Sequence, residues 1–297
     1  MKKDDQRPKN IIEHMAGWIN WPRLLFFAVL TFFLTGILFP FYWMVSSSFK
    51  TYAEIGSRQP VYMPSALRWE AYQELFTYWD FGSNIMNTII VSIPTSIIAV
   101  VLSTLGAYAI ARLSFPGKEA LLNSILMIYL FPGVLLIIPL FAMLAQIGDR
   151  IGFEVQDNLP VLIITYLAQT LPVALYMLAN YFRTIPEEIE QAGLIDGCSR
   201  LGVIWRITLP LAIPALVSVS IYTFMIAWNE FLYAFVFLND RSLFTMPIKI
   251  NTIYNDPSPR PHVVMAASTI MTLPIVFMFL SLEKFLEEGL SAGGVKG

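Results

Sequence analysis

Long apolar blocks alternate with short polar ones along this chain, and the blocks lack the polar face of a soluble helix or the alternation of a half-buried strand. A helix needs about 20 apolar residues to cross the hydrocarbon of a bilayer. Six blocks meet that length, at residues 24–46, 88–111, 120–144, 159–182, 211–238 and 263–282. Between them lie the turn formers and charges of loops: Phe115-Pro116-Gly117-Lys118, Gly148-Asp149-Arg150 and Asn255-Asp256-Pro257-Ser258-Pro259. Pro94, Pro132, Pro139, Pro172 and Pro274 fall inside the blocks, where membrane helices tolerate them as kinks. The pattern predicts an all-α membrane protein with six transmembrane helices. Its parts are a cytoplasmic N-terminal segment at 1–23, a membrane domain at 24–282 with a cytoplasmic loop at 183–210, and a cytoplasmic tail at 283–297.

Composition agrees with that class: 56% of residues are apolar and 13% charged, against about 25% charged in a soluble domain. A net charge of −2 argues against nucleic acid as a partner. One cysteine, Cys198, allows no internal disulfide and no Cys-rich metal site. The first block follows a basic stretch, as a signal peptide does, but it is too long for that and offers no small-residue cleavage site, so it reads as a retained anchor. Twelve of the 19 Lys and Arg residues fall on the segments that share a side with the N-terminus. By the positive-inside rule both ends are expected in the cytoplasm. The outside segment 50–87 carries Tyr52, Trp69, Tyr72, Phe76, Tyr78 and Trp79, which fit either a packed cap or an interfacial belt.

The loop at 183–210 is the longest internal cytoplasmic segment. Pro186 suits a first helical position, Glu187 and Glu188 complement the dipole there, and Gly197 suits the residue past the end. A helix of about three turns is expected between them, with Ile189, Ala192, Gly193 and Asp196 on one face. Two of those four are nearly without side chain, so another surface could approach the backbone closely. A second short helix is expected from about Ser199 to Thr208, with Val203, Ile204, Trp205 and Ile207 suited to the membrane interface. On pattern alone a surface loop that happens to be helical fits as well.

The stretch Glu190-Gln191-Ala192-Gly193-Leu194-Ile195-Asp196-Gly197, followed by Ile207-Thr208-Leu209-Pro210 and Pro214, resembles the "EAA" loop of permease subunits in bacterial ATP-binding-cassette (ABC) importers. Ser48-Phe49-Lys50-Thr51, Ala107–Leu113 with Phe115-Pro116-Gly117, Trp228-Asn229-Glu230-Phe231-Leu232 and the Gly-rich end at 289–297 are similar to its carbohydrate branch, above all to the smaller maltose-type permease. The resemblance implies a type I ABC importer permease fold in the bacterial inner membrane and half of a pore for a sugar or oligosaccharide. It also implies coupling to a separate ATPase through Glu190, Gln191, Ala192, Gly193, Asp196 and Gly197. The implied partners are a homologous permease in a heterodimer, two cytoplasmic ATPase subunits, an extracytoplasmic sugar-binding protein and the lipid bilayer. No cofactor is expected on this chain, with ATP and Mg on the ATPase, and the tail is expected at the ATPase seam. In one respect the sequence departs: the motif's glutamate falls on Gln191, and Glu190 lies about 100° around the helix from it.

Asn229 and Glu230 are expected well inside the fifth span, lining the translocation path or a subunit interface, because intramembrane acids face protein or water. Asn87 and Asn180 are expected to bond neighbouring backbone. His14 and His262 are too far apart to share a site. The chain has no G-x-x-x-x-G-K-[ST] phosphate loop, so an energy source must act through contact. A proton-coupled transporter using Glu230 is the competing reading, without a detectable inverted repeat to support it. An intramembrane enzyme lacks a His pair, a metal cluster or a Ser/His/Asp set within the spans.

Overall fold

The computed structural model describes residues 21–130 and 132–294. Most of the expected N-terminal segment (1–20) and the end of the tail (295–297) lie outside the described residues. Five helical stretches are long and apolar enough to cross a bilayer: Pro22–Ser48, Phe81–Arg112, Gly133–Ile151, Leu159–Phe182 and Pro261–Phe285. A sixth arises if Arg200–Leu211 and Ile213–Asn229, bent by 82°, form one broken span. Among the described residues there is no strand.

The chain runs α1 (Trp21–Ser48), α2 (Glu70–Thr77), α3 (Phe81–Arg112), α4 (Lys118–Leu130), α5 (Ile137–Ile151), α6 (Leu159–Phe182), α7 (Glu187–Ile195), α8 (Ile213–Asn229), α9 (Leu232–Phe237), α10 (Met246–Tyr254) and α11 (Pro261–Gly294). Helix α3 is the spine. Asn84, Thr88, Ser92, Thr95, Ala99, Ser103 and Ala107 recur at helical spacing and are all buried. Small side chains let helix backbones approach closely where water supplies no driving force. The hydroxyls of Thr88, Ser92 and Thr95 donate to carbonyls four residues back, so those three are satisfied within the helix itself. Ser96 meets Thr223 of α8 across 2.9 Å.

Three apolar clusters lie along the bundle. Ala107, Leu178, Phe182, Ile185 and Ala212 pack at the end that carries the 183–210 loop. Val91, Tyr166, Tyr233, Phe237 and Ile248 fill a second cluster. Leu75, Trp79, Phe81, Trp228, Met246 and Val263 form a cap at the opposite end. Of the aromatics of the segment 50–87, Trp79 is buried and Tyr72 half-buried, as in a packed cap, while Tyr52, Trp69, Phe76 and Tyr78 stay exposed. Glu74 of α2 ties the cap to α11 through Arg260, with His262 3.9 Å away.

Two expected spans are not continuous. The third breaks after Leu130, and a 3-10 turn at Gly133–Leu136 leads into α5. Pro132 and Pro139 both lack an N–H, and Gly133 between them has little helix propensity, so the hydrogen-bond ladder cannot run through. Pro94, Pro172 and Pro274 do lie inside helices. The fifth span breaks at Glu230, whose backbone is extended at φ −66°, ψ 127°. Helix α11 runs past the expected boundary at 282 to Gly294.

Candidate functional site

Helix α7 starts one residue later than expected, with Pro186 as its N-cap, and carries Glu187, Glu188 and Glu190 in its first turn. It ends in a Schellman motif. The N–H of Cys198 donates to Gly193 O at 3.0 Å and that of Gly197 to Leu194 O at 3.1 Å. Gly197 has φ +88°, the left-handed conformation that favours glycine. Ser199 then caps Arg200–Val203 by accepting from Gly202 N, and a π-helical turn at Ile204–Thr208 follows.

Glu190 organises the loop. It is 5% exposed and its Oε1 lies 2.9 Å from Arg112 Nη2 and 3.0 Å from Arg112 Nε, at the last turn of α3. Tyr108 donates to Oε2 at 3.0 Å and Thr208 to Oε1 at 3.2 Å. The same arginine donates to Ile185 O at 2.8 Å, where the chain leaves α6. One buried ion pair therefore joins α3, the end of α6, α7 and the π-turn before α8. A charge pair of this kind is tolerable in a low-dielectric site only when its remaining donors and acceptors are met, as here.

The face predicted for close docking is placed differently. Gly193 points inward, and a Cβ on it would sit 2.3 Å from Ile207 Cδ1 and 3.6 Å from Val203 Cγ2. The close approach that its missing side chain allows is made within this chain, not to an added surface. Glu190, one position before the Gln191 on which the motif's glutamate falls, faces inward with Gly193 because the two are three residues apart. Gln191, Ala192, Asp196 and Gly197 are exposed, as is Ile195 at 86%. Of the residues expected at the membrane interface, Val203 and Ile204 are buried and Trp205 is exposed.

The second site is the break in the fifth span, which corrects the expectation of Asn229 and Glu230 in mid-helix. Asn229 ends α8, is exposed, and donates back to Met225 O at 2.9 Å. The carboxylate of Glu230 accepts from the N–H of Tyr233 at 2.9 Å and of Ala234 at 3.1 Å, capping α9. Tyr233 in turn donates to Gly133 O at 3.4 Å, so the breaks of the third and fifth spans touch. Asn87 does not bond neighbouring backbone as expected: its amide reaches Ser242 O at 2.8 Å, beside Asn84, which reaches Phe244 O at 2.8 Å. Sequence spacing gave no signal for either contact, which spans more than 150 residues. Asn180 is exposed.

The profile of the family described as binding-protein-dependent transport system inner membrane component matches residues 103–292. The chain is 42% identical over 277 residues to the inner membrane ABC transporter permease protein YcjP of Escherichia coli K12, covering 93% of this chain and 97% of that one. It is 33% identical over 281 residues to the trehalose transport system permease protein SugB of Mycobacterium tuberculosis, covering 93% and 98%. In fold it is similar to a chain of a bacterial ABC transporter involved in the import of the acidic polysaccharide alginate, with a TM-score of 0.75, 18% identity, and 94% and 99% of the two chains covered.

Proposed function

The chain belongs to the family of binding-protein-dependent transport system inner membrane components, and on that premise we propose that it forms half of the pore of an ATP-driven sugar importer and receives its energy through the 183–210 loop. It is a multi-pass membrane permease. The sugar reading rests on its relatives, whose names include trehalose transport. The observation that carries the coupling reading is the ion pair of Glu190 with Arg112. It fixes a short helix rigidly to two spans, so a push on that helix is a push on α3 and on the start of α8.

In this reading the loop and both termini face the cytoplasm, in line with the distribution of Lys and Arg. Two ATPase subunits carry ATP and Mg, and one of them docks on the exposed Gln191, Ala192, Ile195 and Asp196, with Gly197 shaping the end of that surface. A homologous permease completes the pore and covers Asn229, since an exposed amide at membrane depth needs protein or water against it. A sugar-binding protein delivers substrate at the capped end. Ile195→Asp tests the docking surface: it leaves the fold unchanged and lowers ATPase co-purification by at least tenfold. Undiminished co-purification with wild-type uptake would place the ATPase elsewhere.

A further inference from the structure

The two helix breaks touch through Tyr233 and Gly133, and beside that contact lies a cavity of about 550 Å³ whose lining includes Gly133, Leu140, Gln169, Tyr222, Ile226 and Tyr233. Its volume is within the range of about 300–1,000 Å³ typical of small-molecule sites. Irregular backbone at membrane depth is tolerated where it is buried in protein or lines a cavity, and broken helices in corresponding places mark binding sites in transporters. Most of the wall is apolar, but the amide nitrogen of Gln169 is buried with no hydrogen-bond partner. Such a donor costs stability unless something accepts from it. No charged side chain is among the lining residues, and the nearby Glu230 carboxylate is taken up by two backbone N–H groups.

We infer that this cavity is a sugar-contacting site on this chain itself, and that it takes an uncharged sugar ring. The apolar lining, with Leu140 and Ile226 in it, offers surface to the C–H faces of the ring. A turn of the Gln169 side chain brings its unpartnered amide to donate to a ring hydroxyl or ether oxygen. An anionic sugar would find no cation there and would meet the field of Glu230 through a low-dielectric wall. The inference rests on the sugar-importer reading and adds both the place of contact and the charge class of the substrate.

The test places a thiol in the cavity, by Gln169→Cys and separately by Ala168→Cys, in the assembled importer in lipid vesicles. Three thiol reagents are compared: a neutral glucoside-bearing methanethiosulfonate, the anionic sulfonatoethyl form and the small methyl form. Rates are normalised to a free thiol, and the parent chain supplies the background from Cys198. The glucoside reagent should react within threefold of the methyl reagent and at least tenfold faster than the sulfonate, in at least one variant. Equal rates for glucoside and sulfonate would mean a passage without charge selection. Reaction of the methyl reagent alone, or of none in both variants, would mean a cavity closed to sugars or filled by lipid. Either result overturns the inference. Sugar uptake by the parent importer in the same vesicles reports separately on the importer reading.

Discussion

Glu190 and Gln191 are neighbours in sequence with opposite roles. Removing one partner of a buried ion pair leaves the other charge uncompensated, at a cost of about 3–5 kcal/mol. Glu190→Gln is therefore expected to release α7 from α3, with protease cleavage in 183–210 rising and ATP-coupled uptake falling together. Gln191→Ala, at an exposed position, should change stability by no more than about 0.5 kcal/mol. Equal protease resistance of the Glu190→Gln and parent chains would remove the anchor role. At the opposite end, Glu54 accepts from the N–H of Thr51 at 2.8 Å and of Ser65 at 3.0 Å. These bonds, with the Ser65 contribution foremost, hold its carboxyl at about 2 against an ordinary 4.5. Because the folded value is the lower, the contact stabilises the segment above pH 4.5 and is lost as pH falls from there towards 2. Protection of the Ser65 amide, its exchange rate relative to the intrinsic rate at each pH, should fall over that window, and Glu54→Gln should abolish that change in protection.

At the level of elements, glycine and proline decide where helices stop and how near they come. Gly193→Trp has to displace Ile207 and Val203 together, since a Cβ alone already meets the Ile207 end methyl. The expected outcome is loss of the folded loop, not a folded loop that merely holds the ATPase away. Gly193→Ala with Ile207→Ala should restore coupling that Gly193→Ala alone weakens, because Ile207 Cδ1 is the colliding atom. The same reasoning applies to the fifth span, where Glu230→Ala should uncap α9 at a cost of about 0.5–2 kcal/mol. A thermal-shift measurement on the purified complex that found no change would exclude the capping role. Length and apolarity made the spans legible, and Pro186 and Gly197 made the ends of α7 legible to within a residue. What the sequence did not give was direction. A helical period shows that Gly193 lies beside Ile189 and Asp196, but not whether Ile207 or a partner lies over it. The break at Gly133 was hidden because apolar residues flank it closely, and the one at Glu230 because the apolar run resumes at once after Asn229-Glu230.

The whole molecule has a capped end, two broken spans that meet, and an end where one short helix is fixed to the bundle by a buried charge pair. That arrangement suits a machine moved from outside its own chain, in line with a sequence that has no G-x-x-x-x-G-K-[ST] phosphate loop. The alternative, a proton-driven carrier, would use Glu230 as its acid, the carboxylate that caps α9 by accepting from two backbone N–H groups. The direct test is uptake, in vesicles holding this chain with its partner permease, ATPase and binding protein, of the sugar which that binding protein holds. The account predicts uptake that survives a protonophore and stops when the ATPase is inactivated. Uptake that continues without ATP hydrolysis and collapses with the protonophore would contradict it.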